Sequence, residues 1–245
     1  MKVAVCISGL LTEHCVKNNE IMKRKFPDAD FYYGSWLSEA EKFQRIFPNE
    51  RGFFFEEPVI HYHPYNVRHI PNDPTYEKYF IKSKRSVRKN QERIVWSYNS
   101  TKQHLSHAHL LEKLEDNYDI IVRARFDTVI SESNKVEFKK LIVDSHKNHR
   151  AHGFNTMYPK HFERIKRITH KNAPRTQFRV FDYLIIYPRD MIDPKIVFDL
   201  HKNKTLRPSE YGWHQLLSES FGNNNVNWSG WVHLEKSVPK EEISE

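Results

Sequence analysis

Two arginines and an aspartate stand at alternate positions near the middle of the chain, in the segment Asn117–Ile130, which reads NYDIIVRARFDTVI. The β-branched run that precedes them is typical of a buried strand, and alternation places Arg123, Arg125 and Asp127 on one face. Arginine binds a diphosphate well, and aspartate suits a divalent metal or a ribose hydroxyl. The segment therefore predicts a ligand site at a strand end. The alternative is a structural Arg–Asp pair that stabilises the end of the strand.

The amino terminus predicts a second part of the same site. Lys2–Ile7 reads as a buried strand, Ser8 and Gly9 follow as a turn, and Leu10–Lys25 has helical character. A glycine lets a ligand approach the backbone, and the start of a helix attracts an anion. The three-glycine dinucleotide fingerprint is absent, so the pattern does not indicate NAD.

Two carboxylates farther along are candidates for catalysis, and one histidine is a candidate metal ligand. Asp182 interrupts the apolar strand predicted for Phe181–Tyr187, where an unpaired carboxylate is costly. Glu210 lies in the first turn of a predicted helix, and His214 shares its helical face. The alternatives are an ion pair of Asp182 with a neighbouring arginine, a helix-capping role for Glu210, and a structural role for His214.

Length, composition and charge limit the class of protein. The chain has 245 residues and 13% aromatic residues, which indicates one large folded domain or two small ones rather than a disordered chain. Two cysteines do not make a disulfide framework. No apolar run approaches the ~18 residues of a transmembrane helix, and no signal peptide is recognisable. We therefore expect a cytoplasmic protein.

The charge is strongly basic, with a net value of +8 and a pI of about 9.3. Such a surface favours polyanions. Lys82–Arg93 and Lys160–Arg179 concentrate this charge, and each is interpreted either as a solvated surface segment or as a phosphate-contacting surface. The candidates for DNA contact are Arg85, Arg88, Lys89, Arg164, Lys166 and Arg167.

The alternation of strands and helices predicts an α/β fold with a mostly parallel, Rossmann-like central sheet flanked by helices. A long helix is predicted for Trp96–Glu115, and a terminal strand for Trp228–Leu234. Ligands of such sheets bind at the carboxyl ends of the strands.

Several segments together resemble a group of GT-A-type glycosyltransferases from bacterial polysaccharide clusters, large viruses and tailed phages. They are V-A-V-C-I-S-G-L-L, D-F-Y-Y-G-S-W and Y-D-I-I-V-R-A-R-F-D, and the resemblance extends from Val3 to roughly Leu217. It implies one GT-A-like domain over residues 1–235, with a nucleotide-sugar half (1–130), an acceptor half (131–235) and a flexible tail (236–245). The R-x-R-x-D segment stands where other GT-A enzymes have Asp-x-Asp.

The resemblance also implies roles for individual residues. The donor, with a UDP-sugar favoured, would contact Ser8, Gly9, Leu10, Arg123, Arg125 and Asp127. A divalent metal, Mn²⁺ or Mg²⁺, would be held by Asp127 with His214. Asp182 and Glu210 are the candidates for the base that deprotonates the acceptor hydroxyl. Relatives often carry an arginine soon after the Ser-Gly pair, where this chain has Leu11 and Thr12.

The acceptor is predicted from charge and composition. The Lys-, Asn- and aromatic-rich composition resembles that of T-even-type phages, whose glycosyltransferases modify hydroxymethylcytosine in DNA. We therefore expect duplex DNA as the acceptor, with a sugar added to a 5-hydroxymethylcytosine-type base that is flipped out of the stack. The alternatives are a surface glycan as acceptor, a nucleic-acid-binding protein without catalysis, and a glycosyltransferase-like fold without activity.

Overall fold

The computed structural model describes the backbone of residues 1–12, 15–60, 87–115, 117–130, 136–156, 183–207, 209–219, 226–232 and 234–235. These residues form an α/β fold with a mixed, mostly parallel sheet and helices on both faces. No helix in this part of the chain has both the length and the apolar character that crossing a membrane requires.

Seven strands form the main sheet in the order β3-β2-β1-β4-β7-β6-β8, and two short strands, β5 and β9, pair separately. Their bounds are β1 Val3–Ser8, β2 Asp30–Trp36, β3 Gly52–Phe55, β4 Ile120–Arg125, β5 Val129–Ile130, β6 Ala151–Thr156, β7 Leu184–Pro188, β8 Val226–Val232 and β9 Leu234–Glu235.

Six α-helices lie within the described residues, and the last continues into a π-helical turn at Gln215–Glu219. Their bounds are α1 Cys15–Lys25, α2 Ala40–Ile46, α3 Val87–Leu111, α4 Phe138–Asn148, α5 Pro194–Lys202 and α6 Ser209–His214. The long helix therefore begins nine residues earlier and ends four residues earlier than predicted from Trp96–Glu115.

Strands β3, β2, β1 and β4 run parallel to one another, as predicted, and β6 runs parallel to β8. Strand β7 runs antiparallel to both of its neighbours. Because of this reversal, the start of β7 lies at the same edge of the sheet as the carboxyl end of β4, where Ala124 pairs with Leu184. The edge predicted to bind a ligand therefore also receives the chain at Tyr183.

The central strands are apolar on both sides, because each face of the sheet packs on a separate core. In β4, Ile120, Val122 and Ala124 belong to one core, which includes α1 and α4. Ile121 belongs to the other, which includes α3 and Trp213 of α6. Arg123 points the same way as Ile121 and lies over the ring of Trp213, 4.6 Å from its centroid.

Candidate functional site

A cavity of about 290 Å³ lies at the carboxyl ends of β1, β2 and β4. Its walls are the turn after β1, the end of β2 at Trp36, one polar face of α3, and the turn after β4. The volume is near the lower end of the range of about 300–1,000 Å³ that is common for small-molecule sites. The position is the one that open α/β sheets use for ligands.

The turn after β1 is fixed to the end of β2. Gly9 has φ +122°, a conformation that side chains rarely adopt. Its N–H donates to the carbonyl of Gly34 at 3.2 Å, and its own carbonyl accepts from Ser35 Oγ at 2.8 Å. The Leu11 N–H donates to Glu39 at 3.1 Å. The turn is therefore preorganised before any ligand binds.

Ser8, at the end of β1, is completely buried and lines the cavity. Its Oγ has no hydrogen-bond partner among the described residues. A buried hydroxyl without a partner costs free energy, and because Oγ is not accessible from the cavity, a ligand oxygen could bond it only after the turn moves. Ser8, Gly9 and Leu10, which were predicted together, all lie on this wall.

Arg125 and Asp127 form a two-point ion pair beside the turn after β1, since Arg125 pairs in register with Ser8 across β1 and β4. Nε of Arg125 donates to Oδ1 of Asp127 at 2.7 Å, and Nη2 donates to Oδ2 at 2.5 Å. The guanidinium also lies 4.8 Å from the ring centroid of Tyr183. Both side chains are 19% exposed, and both line the cavity. The pair fixes the guanidinium of Arg125 at the cavity wall, and it is also the contact that the structural-pair alternative predicts.

Arg123 does not share the wall with Arg125 and Asp127. Strand β4 ends at Arg125, and Asp127 belongs to the following turn, so the prediction that alternation places all three on one strand face is wrong. Arg123 is completely buried and does not line the cavity. Its Nη2 donates to Oε1 of Gln103 at 3.4 Å, and Gln103 does line the cavity. Arg123 thus lies directly behind the wall.

Arg123 belongs to a buried polar cluster between the sheet and α3. Nε2 of His107 lies 2.6 Å from the hydroxyl of Tyr187 in β7. Burial lowers the pKa of His107 well below its ordinary value, and the charge of Arg123 lowers it further. His107 is therefore neutral at physiological pH, which keeps a second positive charge away from Arg123.

Helix α3 contributes residues that the sequence analysis did not single out. Asn99, Gln103 and Ser106 recur at helical spacing on the cavity side, with Lys102 beside them. Nζ of Lys102 lies 2.7 Å from Oε1 of Glu57, which also lines the cavity. The sequence signal that could have identified these cavity residues was a polar stripe opposite the apolar positions of the helix.

The predicted catalytic carboxylates are not located by the structure. Asp182 lies outside the described residues, and the ring of its neighbour Tyr183 contacts Arg125, which lines the cavity. Glu210 lies in α6, where the backbone alone is described. The catalytic roles of both residues stay predictions.

The predicted metal ligands do not lie together in the cavity. Asp127 lines it, whereas His214, half-buried at the end of α6, does not. Among the described residues there is no cluster of three or more His, Cys, Asp or Glu side chains that could hold a metal. Arg125 donates to both oxygens of Asp127, so a cation on this carboxylate would be close to a guanidinium. The donor set therefore fits a metal poorly.

The predicted DNA-contacting residues lie largely outside the described part of the chain. Arg88 and Lys89 are in the first turn of α3, and only their backbone is described. Arg85, Arg164, Lys166 and Arg167 lie in the ranges 61–86 and 157–182, which are outside it.

No family model and no curated protein sequence matches this chain. Among solved structures, it is similar to 4-diphosphocytidyl-2C-methyl-D-erythritol synthase from Anaerococcus prevotii, at 8% identity and TM-score 0.47 over 96% of this chain and 89% of that one. It is similar to a glycosyltransferase involved in glycosylation of the major capsid of PBCV-1 (11%, TM-score 0.42, 93% and 82%). It is also similar to the galactosyltransferase LgtC in complex with donor and acceptor sugar analogs (10%, TM-score 0.45, 93% and 73%). Similarities at these values do not support a functional assignment. The proposed function therefore depends on the cavity itself.

Proposed function

We propose that the protein is a glycosyltransferase that binds a nucleotide-sugar donor in this cavity. The observation that carries the proposal is the convergence of the Ser8–Leu10 turn with the Arg125–Asp127 pair around one cavity at the carboxyl edge of the sheet. The same residues carry the sequence resemblance to GT-A-type glycosyltransferases.

The cavity has groups suited to each part of such a donor. Leu10, which is 54% exposed, offers apolar surface to a base or a sugar ring, and the buried Trp36 supports the cavity wall at the end of β2. Arg125 and Lys102 are cations that can stabilise the charge developing on a nucleoside diphosphate leaving group. Each is held by a carboxylate, Asp127 and Glu57 respectively, so its position is set before the donor binds. Since Arg125 donates to both oxygens of Asp127, these two cations, and not a metal on Asp127, supply the stabilising charge among the described residues.

A titration with a panel of nucleoside diphosphates tests donor binding. We expect saturable binding of at least one of UDP, CDP, GDP, ADP and dTDP, with tighter or equal binding of the matching nucleotide sugar. Arg125→Lys keeps the charge but loses the planar fork, so we expect its affinity to be about tenfold lower. Gln44→Met, on an exposed part of α2 away from the cavity, is the matched control. Absence of binding to every member of the panel would remove the proposal.

For the acceptor we propose duplex DNA with 5-hydroxymethylcytosine-type bases. This part of the proposal depends on the net charge of +8, on the two basic segments, and on the composition that resembles T-even-type phages. The test is mass spectrometry of hydroxymethylated DNA, unmodified DNA and a surface-glycan acceptor after incubation with the nucleotide sugar that binds. Transfer to the glycan alone would replace DNA with the rival acceptor, and DNA binding without any transfer would favour a non-catalytic protein.

A further inference from the structure

We propose that Gln103 is a donor-site residue and that the buried Arg123 positions it, so that the amide nitrogen of Gln103 donates to an oxygen of the nucleotide sugar. This inference rests on the proposed function. It concerns a residue that lines the cavity from α3 and a residue that lies behind it.

The orientation of the Gln103 amide follows from the chemistry of its neighbour. A guanidinium has donors only and cannot accept a hydrogen bond. Nη2 of Arg123 contacts Gln103, so the atom that faces it must be the oxygen Oε1, at 3.4 Å. Nε2, which carries two N–H groups, is thereby directed away from Arg123. Gln103 is half-buried and lines the cavity, so the cavity is the accessible space in which Nε2 can find an acceptor.

Arg123 is itself held rigidly. It is completely buried, and its guanidinium lies over Trp213 of α6 at 4.6 Å from the ring centroid. Trp213 is also completely buried, with the ring of His104 4.6 Å away. A fixed arginine selects one of the two amide orientations of Gln103, and preorganisation of this kind lowers the cost of binding.

The consequence is a distinct role for the first arginine of the R-x-R-x-D segment. Arg125 faces the ligand from the cavity wall, whereas Arg123 acts on the ligand through Gln103. A nucleotide sugar offers two kinds of acceptor oxygen to an amide N–H, the phosphate oxygens and the sugar hydroxyls, and the two can be separated by choice of probe.

Two substitutions of Gln103 separate its two contacts. Gln103→Glu keeps an oxygen for Arg123 and replaces the N–H₂ group, so we expect the melting temperature to be unchanged or higher while affinity falls at least tenfold. Gln103→Met keeps the length and loses both contacts. The probes are the nucleoside diphosphate that binds the wild type and its glucose conjugate. If affinity falls for both probes, the contact is to the nucleoside diphosphate. If affinity falls for the glucose conjugate alone, the contact is to the sugar.

A double-mutant cycle tests whether Arg123 acts through Gln103. We expect Arg123→Met to weaken binding as much as Gln103→Met, and the double variant to bind no more weakly than either single variant. Arg189→Met is the control, since Arg189 is a part-buried arginine that donates to the backbone carbonyls of Ile192 and Leu111 and does not line the cavity. It should lower stability and leave affinity unchanged.

The proposal is overturned if Gln103→Glu binds both probes as the wild type does. It is also overturned if the fold loss of affinity in the double variant equals the product of the fold losses in the two single variants. Should Arg123→Met fail to fold, NMR of the wild type decides. The side-chain amide signals of Gln103, assigned by their loss in Gln103→Met, must shift when the probe binds, and unshifted signals reject the contact. A wild type that binds no nucleotide at all is a failure of the proposed function instead.

Discussion

At the scale of single residues, the cavity is defined by side chains that are held before a ligand arrives. Arg125 is paired through two nitrogens with Asp127, and Lys102 is paired with Glu57. Each pair keeps a cation at the wall and limits its conformational freedom. Less side-chain entropy is therefore lost when a ligand binds. Ser8 adds a buried hydroxyl with no partner in the described part of the chain.

Replacing Asp127 tests whether it holds Arg125 in place. Asp127→Asn keeps the shape but removes the charge and one of the two accepting oxygens, so we expect about tenfold weaker nucleotide binding through a loosened Arg125. Asp127→Ala removes both accepting oxygens, so we expect nucleotide binding and transfer to fall by more than the roughly tenfold loss expected for Asp127→Asn while the fold persists. Titration and circular dichroism measure the two effects. Transfer by Asp127→Ala above roughly a tenth of the wild-type rate would mean that transfer does not require Asp127 to hold Arg125.

At the scale of elements, the structure differs from the sequence prediction in two places. One is the point where the alternation of a strand ends, and the other is the direction of a strand, which its apolar pattern does not indicate. Alternation failed at Asp127, because β4 stops at Arg125 and the chain turns. The reversed direction of β7 was not readable, since a strand buried on both faces has the same apolar run in either direction. The order of strand, turn and helix at the amino terminus and the mostly parallel sheet were predicted from local pattern, although Leu10–Thr12 are not helical and α1 begins at Cys15.

The polar face of α3 was missed for a related reason. Asn99, Gln103 and Ser106 have the spacing of an ordinary solvent-exposed helix face. Only the packing of α3 across the end of the sheet makes that face a cavity wall, and sequence periodicity does not report which face is covered. The clustering of Ser8–Leu10 with Arg125 and Asp127, in contrast, followed from the rule that carboxyl ends of parallel strands share an edge.

Gly212 tests the contact between α6 and α3 that supports Arg123 through Trp213. A Cβ there would lie 2.3 Å from the carbonyl oxygen of Arg207 and 2.6 Å from Nε2 of His104. Gly212→Ala must therefore move α6, and we expect the free energy of unfolding to fall by about 1–3 kcal/mol. Gly34→Ala, whose nearest contacts would be 3.3 Å from side-chain atoms, is the control with a smaller expected loss. Equal stability of Gly212→Ala and wild type in denaturant titrations would contradict the close packing.

At the scale of the whole molecule, the net charge of +8 bears on the acceptor. If duplex DNA binds through about four to six phosphate contacts, the log–log dependence of affinity on salt should have a slope of roughly −4 to −5. Reversing the charge of four arginines in the basic segments should flatten that slope. They are Arg85, Arg88, Arg164 and Arg167. The control reverses four exposed lysines elsewhere, namely Lys139, Lys140, Lys147 and Lys202. A wild-type slope near zero would favour the glycan acceptor.

The stability of the whole fold should depend on pH through His107. Burial, followed by the charge of Arg123, holds the pKa of His107 in the folded protein well below the ordinary value of 6.5. Below that pH the unfolded chain takes up a proton that the folded chain refuses, so acid favours unfolding. The contribution of His107 is therefore fully present above about pH 7 and is lost as the pH falls below about 6.5. The slope for this one proton should reach up to about 1.4 kcal/mol per pH unit.

The substitution His107→Gln isolates this contribution, since glutamine can still bond the hydroxyl of Tyr187 and does not titrate. Burial also lowers the pKa of His152, although Asp144 opposes that shift, so the wild-type profile is a sum over several groups. Denaturant unfolding from pH 8 to pH 5 should show a smaller acid loss in His107→Gln than in wild type, while His146→Gln, on an exposed part of α4, should follow the wild type. Superimposable profiles for His107→Gln and wild type would mean that His107 accepts a proton in the folded state, and hence that the cluster around Arg123 tolerates a second positive charge.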